Sequence, residues 1–165
     1  MTSPAPIATR LHWEDFPVGS TREFGALRVT REEVLEFAAK FDPQPFHLDD
    51  AAAKKSLFGR LSASGWHTCA MTMRMTVDAV LSQSTSLGSP GLDNLRWQKP
   101  VYPDDVLSVR LTTIDARPMA SRPEVGLVLS TWETLNQHGD VVLQMQGWGM
   151  FKRRHAADDI GDKQQ

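Results

Sequence analysis

Residues 64–81 read SGWHTCAMTMRMTVDAVL, and this stretch decides the fold because it is the longest helical pattern in the chain. Apolar residues recur in it at helical spacing, namely Trp66, Cys69, Ala70, Met73, Val77, Val80 and Leu81. Met71 and Met75 widen that stripe. A helix that is apolar over most of its circumference is expected to be largely buried. The chain therefore has to supply a second layer that covers it.

The C-terminal half of the chain supplies that layer as strands. Residues 107–112 alternate between apolar and polar side chains, as a half-buried strand does. Two further strands are predicted at 125–135 and 141–151, with turns at 117–123 and 136–140. Helices first and a run of antiparallel strands after them predict an α+β fold, with the helix on one face of the sheet.

The composition is typical of a single globular domain. Of the 165 residues, 41% are apolar and 23% are charged, close to the averages for such domains. The formal net charge is -2, so we expect no strong attraction to nucleic acid or to an anionic membrane. No group of Cys and His residues has the spacing of a zinc site.

The two ends of the chain are expected to lie outside the folded domain. We predict a flexible arm over residues 1–15, the domain over 16–152 and a polar tail over 153–165. Cys69 is the only cysteine, so no internal disulfide is needed. No signal peptide or membrane span is predicted, which favours a soluble, cytoplasmic protein.

Two shorter helices are predicted before the long one. Thr30 and Glu33 have the spacing of a capping box, which satisfies free backbone N–H groups at a helix start. The helix that follows would bury a face made of Val34, Phe37, Ala38 and Phe41. Pro43 ends it, because the residue before a proline is pushed out of the helical region. Asp49 is a good N-cap for the next helix.

Between these two helices, residues 41–47 read Phe-Asp-Pro-Gln-Pro-Phe-His. Pro43 and Pro45 each fix a φ angle, so this loop holds its side chains with little remaining freedom. Asp42 and His47 together can activate a water molecule and exchange protons near neutral pH. The structural alternative is that Asp42 caps a turn and His47 makes an internal hydrogen bond. The residue types alone leave both interpretations open.

Ser64 and Gly65 form a second candidate element, at the start of the long helix. Free N–H groups and the helix dipole at this end favour a negative charge. Glycine has no Cβ, so a substrate carbonyl can approach its N–H closely. An oxyanion donor of this kind is worth about 100- to 1000-fold in rate. The alternative is a helix start at which glycine only relieves crowding.

Taken together, the two elements resemble the MaoC-like dehydratase family, which includes the (R)-specific enoyl-CoA hydratases. The family signature is similar to Asp-x-Asn-Pro-x-His, here Asp42 to His47, followed by a glycine that opens the central helix, here Gly65. Residues 91–105 resemble the family's strand that enters a Pro-Val-x-x-Gly-Asp turn. The chain departs from this pattern at three positions, with Gln44 for Asn, Ser64 for a frequent His and Asp104 for Gly.

The resemblance implies a hotdog fold, in which an antiparallel sheet wraps a long helix, and an acyl-thioester hydratase or dehydratase. Asp42 and His47 would be the catalytic pair that adds water to a trans-2-enoyl thioester, giving a (3R)-3-hydroxyacyl thioester. Gly65 would bind the thioester oxygen, with Ser64 and Gln44 beside the substrate. The implied substrate is an acyl-CoA or an acyl-carrier thioester, without a metal or other cofactor. A homodimer or larger homo-oligomer is implied as well.

Two other functions stay open on the sequence. A hotdog thioesterase would carry its catalytic acid on or near the long helix, where Asp78 is the only carboxylate and lies late. A non-catalytic module that binds acyl thioesters would not need both Asp42 and His47, and fold alone does not decide function. His67 is interpreted mainly as a helix residue with a structural contact. Cys69 is interpreted mainly as a packing residue, since apolar neighbours disfavour the thiolate of a nucleophilic cysteine.

Overall fold

The chain forms one antiparallel sheet with a long helix lying along it. The computed structural model describes residues 10–155. Its helices are α1 (Arg31–Phe41), α2 (Pro45–Leu48), α3 (Asp50–Lys54) and α4 (Gly65–Ala79). Its strands are β1 (Thr21–Arg28), β2 (Ser86–Trp97), β3 (Val106–Met119), β4 (Arg122–Leu135) and β5 (Val141–Lys152). No helix within 10–155 is long and apolar enough to cross a bilayer.

The sheet has the strand order β1-β3-β4-β5-β2, and every neighbouring pair is antiparallel. β3, β4 and β5 form its long centre, and each has a stretch of alternating buried and partly exposed residues. β2 pairs with β5 alone, with three shifts of register, and is largely exposed. The predicted α+β layout, with a helix on one sheet face, is confirmed.

The strands extend further than the sequence predicts. β3 continues to Met119 and β4 begins at Arg122, so the turn predicted over 117–123 shrinks to two residues. Prolines caused the error, because Pro118 and Pro123 were interpreted as turn residues although both lie inside strand ends. β2 is the strand that sequence patterning marked least clearly, since it lacks a regular alternation.

The buried side of α4 differs from the predicted apolar stripe. Met71 and Met75 are buried as expected. The outward side, however, carries Trp66, Ala70, Met73 and Val77, which were predicted to face the core. The core side instead includes the three threonines Thr68, Thr72 and Thr76.

Threonine can replace larger apolar residues here because its hydroxyl is satisfied locally. The hydroxyls of Thr72 and Thr76 donate to the carbonyls of Thr68 and Thr72, each at 2.8 Å, so burial leaves no polar group unpaired. The Thr72 hydroxyl also lies 2.6 Å from that of Thr134 on β4. This contact joins the middle of α4 to the centre of the sheet.

The helices before α4 follow the sequence prediction closely. The Thr30 hydroxyl accepts from the Glu33 N–H at 3.3 Å, and α1 ends at Phe41, just before Asp42 and Pro43. Phe41 itself is 64% exposed, so the predicted buried face of α1 is shorter than expected. Asp49 caps α3 by accepting from the Ala52 N–H at 2.8 Å, as its position predicts.

In the turn before β3, Asp104 has a backbone conformation that glycine usually adopts. Asp104 has a φ of 76°, a left-handed conformation that aspartate tolerates better than most residues. Its carboxylate accepts from Arg28 at 2.7 Å, and its N–H donates to the Val29 carbonyl at 2.8 Å. The departure from the family pattern at this position therefore leaves the turn intact.

The predicted arm and tail lie partly outside the described residues, namely at 1–9 and 156–165. In the described part, Trp13–Asp15 form a 3-10 turn, and the Trp13 indole N–H donates to the Leu127 carbonyl at 3.1 Å. Arg154 binds Asp15 at 2.6 Å. Residues 10–15 and 153–154 therefore pack on the domain.

Gly126 on β4 provides a test of this packing. An added Cβ there would overlap the Trp13 ring, so Gly126→Ala has to displace the indole and its hydrogen bond. We expect a loss of about 1–3 kcal/mol in the free energy of unfolding, measured by urea denaturation. In a Trp13→Ala background the same substitution should cost much less. Equal losses in both backgrounds would show that Trp13 does not pack there.

Candidate active site

The loop that joins α1 to α2 brings Asp42 and His47 together. Asp42 is the C-cap residue that follows α1, and His47 lies in the single turn of α2, which begins at Pro45. The Oδ2 atom of Asp42 is 3.6 Å from the Nε2 atom of His47. The side chain of Asp42 is 18% exposed and that of His47 is 6% exposed. The sequence-predicted pair therefore occupies one partly closed position.

The His47 ring is oriented by the backbone just before α4. Its Nδ1 atom is 2.8 Å from the carbonyl oxygen of Ser62. A carbonyl can only accept, so Nδ1 carries a proton. In the neutral form of the ring, Nε2 is then an acceptor that faces Asp42. The rings of Phe46 and Phe58 lie 4.6 and 5.8 Å from the imidazole, which limits its movement.

Two side chains hold Asp42 as a carboxylate. The Ser64 hydroxyl donates to its Oδ2 at 2.7 Å, and the Gln44 amide donates to its Oδ1 at 2.7 Å. The hydrogen bond from Ser64 is the main cause that lowers the pKa of Asp42; burial opposes it, and Gln44 and His47 lower it further. The carboxyl is therefore ionised and able to accept a proton.

The geometry of the pair suits one water molecule. When the ring is neutral, Asp42 Oδ2 and His47 Nε2 are both acceptors, and at 3.6 Å they lie slightly too far apart for a direct hydrogen bond. A water molecule has two hydrogens and can donate one to each. Its oxygen lone pairs would then be free for a third group. The arrangement can thus hold and polarise water as a general base does.

Gly65 lies across the same cavity, at the first position of α4. Ser64 is the N-cap, and its hydroxyl accepts from the Trp66 N–H at 3.2 Å. The Gly65 N–H has no hydrogen-bond partner among residues 10–155, as expected in a first helical turn. It can therefore donate to an oxygen that carries developing negative charge.

The cavity between these groups has a volume of about 390 Å³. Its lining includes Asp42, Gln44, His47 and Gly65, which are four of the five predicted site residues. Ser64, the fifth, is fully buried and does not line the cavity. Its position behind Asp42 makes it a residue that orients the acid. It does not contact the space where a substrate would lie.

Sequence reasoning missed the aromatic residues that shape this cavity. Phe46, Phe58, Trp66 and Trp97 all contribute to its lining. Trp97 comes from the end of β2, far from the motif in sequence, and packs against Gly65. A usable signal was the position of Trp97 inside the segment 91–105 that resembles the family's strand and turn.

The remaining candidate residues, His67, Cys69 and Asp78, lie outside the cavity. His67 is buried and its ring stacks on Phe37 at 4.7 Å, and it does not line the cavity. Burial raises the pKa of the Cys69 thiol, which disfavours a nucleophilic thiolate. Asp78 pairs with Arg74 at 2.8 Å on the exposed side of α4. Among the described residues, no three His, Cys, Asp or Glu side chains form a group that could hold a metal ion.

Comparisons with known proteins place this fold and site in a family. The architecture, a long helix on an antiparallel sheet, is the hotdog fold. Residues 15–132 match the family model of the MaoC like domain, which covers more than half of the chain. The chain belongs to the MaoC-like dehydratase family, a family of hydratases and dehydratases.

Individual relatives agree with this assignment. A MaoC-like dehydratase structure from Rhodospirillum rubrum is 42% identical, has a TM-score of 0.82, and is matched over 87% of this chain and 98% of that chain. The uncharacterised protein YdeM of Bacillus subtilis is 29% identical over 75% of this chain and 86% of its own length. The R-hydratase PhaJ1 from Pseudomonas aeruginosa shares the fold at 22% identity, with a TM-score of 0.70 over 87% of each chain.

Ser64→Ala tests the hydrogen bond that lowers the pKa of Asp42. A lowered carboxyl pKa contributes stability to the fold at a pH above the usual aspartate pKa of about 4. This contribution is lost as the pH falls through the lower pKa of the folded state. We expect Ser64→Ala to reduce the loss of unfolding free energy that occurs as the pH falls below about 5. Losing the helix cap should lower stability by about 1 kcal/mol at every pH.

Urea denaturation at several pH values measures both effects. The matched control is Ser64→Ala in an Asp42→Asn background, where only the pH-independent cap loss should remain. If Ser64→Ala shifts the whole stability curve downward without changing its dependence on pH, the Ser64 hydroxyl does not control the pKa of Asp42.

Proposed function

We propose that this protein catalyses the reversible hydration of trans-2-enoyl thioesters to (3R)-3-hydroxyacyl thioesters, as a hydro-lyase. The observation that carries the proposal is the meeting of three groups around one cavity. Asp42 and His47 present two acceptors to a single water, and Gly65, whose N–H has no partner among residues 10–155, lines the same cavity. Membership of a family of hydratases and dehydratases supports the reaction class.

Each group has a defined part in the reaction. The water oxygen bonds to carbon 3 of the enoyl group while the double bond between carbons 2 and 3 breaks, and its electrons move toward the thioester oxygen. The Gly65 N–H stabilises the charge on that oxygen, helped by the N-terminus of α4.

The Asp42–His47 pair carries out both proton transfers. One proton of the water passes to the pair, and the pair delivers a proton to carbon 2, so that H and OH add across the double bond. The protein returns to its starting charge. Because the two groups are coupled, the proton is assigned to the pair as a whole. Ser64 and Gln44 keep Asp42 in place, while the Ser62 carbonyl keeps Nε2 directed at the water.

The substrate handle is coenzyme A or an acyl carrier, and it enters only as part of the thioester. This chemistry needs no redox group and no metal, since the acceptors and the oxyanion donor are side-chain and backbone groups. Acid–base action of the pair is worth about 10²- to 10⁴-fold in rate. A further 10²- to 10³-fold is about what an oxyanion donor contributes.

We also infer that the working unit is a homodimer joined through β2 and the outward side of α4. Within residues 10–155, β2 is an edge strand whose backbone groups pair with another strand on one side only. Leu87 and Leu92 on β2 and Met73 on α4 are each at least 41% exposed. An apolar cavity of about 230 Å³ opens between Met73 and Leu92. A second copy would cover this apolar strip.

Leu92→Lys tests the dimer. A charge placed within an apolar contact surface should weaken self-association by at least about tenfold, measured by sedimentation velocity over a range of concentrations. Val18→Lys is the control, because Val18 is 60% exposed, lies neither on β2 nor on α4 and does not line this cavity. A wild-type protein that sediments as a monomer, or a Leu92→Lys variant as dimeric as wild type, would contradict the inference.

The reaction is tested by following the loss of enoyl absorbance with crotonyl-CoA and with longer and branched enoyl-CoAs. We expect wild type to hydrate at least one of them. Asp42→Asn and His47→Gln should each lower kcat/KM by about 10²-fold or more, because each replaces a group that can take up a proton from water by an amide that cannot. Chiral analysis should find the (3R) product.

Asp78→Asn and His138→Gln are the matched controls, since they make the same chemical changes outside the cavity. Both should retain wild-type kcat/KM. Thermal unfolding of all four variants confirms that they are folded. If wild type releases free CoA from acyl-CoAs instead of hydrating enoyl-CoAs, the protein is a thioesterase. If it binds acyl-CoA without any turnover, it is a binding module, and the hydratase proposal fails.

A further inference from the structure

The indole of Trp97 lies directly over Gly65. A Cβ added at position 65 would sit 2.5 Å from Cε2 and 2.6 Å from Nε1 of this ring. The indole therefore packs against the Cα of Gly65, beside the N–H that would bind the substrate oxygen. Because both residues line the same cavity, the ring forms a wall of the space that a bound thioester has to enter.

The ring is held from several sides. Cys69, one turn along α4, is close enough for the Trp97 indole to lower the pKa of its thiol, against the larger effect of burial, which raises it. Trp66 packs edge-to-face against the Trp97 ring, with ring centroids 5.3 Å apart and an interplanar angle of 81°. The backbone that follows Trp97 is fixed as well, because the Gln98 N–H donates to the Val142 carbonyl at 2.8 Å. Movement of the indole would break these contacts.

We propose that Trp97 is the specificity-determining residue of this site and restricts it to short acyl chains without a branch at carbon 2. The proposal rests on the hydratase function proposed above. A carbonyl oxygen on the Gly65 N–H places carbon 2 and its substituents close to the indole face. A methyl branch there would meet a ring that is held in place, and a long chain would have to pass it.

The size of the cavity agrees with a small acyl group. Its volume of about 390 Å³ lies toward the lower end of ligand sites, which run from about 300 to 1,000 Å³. Part of that space has to hold the arm that carries the thioester. Phe46 and Phe58 close the side nearest His47, and Trp66 extends the wall formed by Trp97.

Trp97 can be replaced without removing a piece of the core. Its side chain is 47% exposed, it lies at the end of an edge strand, and its ring contact among residues 10–155 is with Trp66. Trp97→Ala should therefore fold and keep its Asp42–His47 pair. Trp148 on β5 is a matched control, because it is another partly exposed tryptophan and does not line the cavity.

The test measures binding, so that it does not depend on catalysis. Isothermal titration calorimetry gives the Kd of wild type, Trp97→Ala and Trp148→Ala for butanoyl-CoA, octanoyl-CoA and 2-methylbutanoyl-CoA. These saturated thioesters cannot be hydrated. We expect wild type to prefer butanoyl-CoA, and Trp97→Ala to shift the Kd ratio toward the two larger ligands by at least about tenfold. Trp148→Ala should keep the wild-type ratios.

Each outcome separates this proposal from the proposed function. Ratios in Trp97→Ala that stay within about twofold of wild type, or a wild type that already prefers octanoyl-CoA, overturn the role of Trp97 even if enoyl-CoAs are hydrated. Ratios that shift as expected in a protein that hydrates no enoyl-CoA support the role of Trp97 in acyl binding, while the hydratase proposal fails. A shift in Trp148→Ala as large as that in Trp97→Ala also overturns the proposal.

Discussion

The hydrogen bond from the Ser64 hydroxyl to Asp42 is the contact on which the site depends most. It joins the loop after α1 to the residue that caps α4, so that the acid and the helix N-terminus are positioned by one bond of 2.7 Å. The adjacent Ser62 carbonyl fixes the imidazole of His47 in the same way. The carboxylate of Asp42 and the imidazole of His47 are thus both positioned by contacts with residues 62–64, directly before Gly65.

The fold explains why these residues are suitable anchors. Ser62 and Ser64 are fully buried, and the Ala63 N–H between them donates to the Val101 carbonyl at 2.8 Å. Further along α4, the contact of Thr72 with Thr134 holds the helix against the centre of the sheet. The N-terminus of α4 is therefore a rigid reference point, and groups attached to it keep their geometry without a ligand.

Local sequence signals were sufficient for much of this account. The limits of α1, the cap of α3 and the start of α4 depend on residues within a few positions of each other, and these were predicted correctly. Asp42 and His47 are five residues apart in a loop that two prolines restrain, so their proximity could also be expected. Gly65 was placed correctly beside them because the family pattern fixes its distance along the chain.

Features that arise from distant contacts could not be predicted in the same way. The buried side of α4 is set by a sheet that accepts threonines, which a scale of hydrophobicity does not anticipate. Ser64 was expected near the substrate, but its orientation toward Asp42 depends on how α1 and α4 meet. Trp97 reaches Gly65 across 32 positions of sequence (97 − 65 = 32), and the packing of Trp13 on Gly126 spans an even longer separation.

The central claim is that Asp42 and His47 act as one unit on one water molecule, and a double-mutant cycle tests it most directly. The measurement is kcat/KM for the best enoyl-CoA substrate in Asp42→Asn, His47→Gln and the double variant. Groups that share one function lose it with the first substitution, so the double variant should be no more than about threefold slower than the slower single variant. Losses that multiply, so that the double variant falls by the product of the two single effects, would contradict the claim.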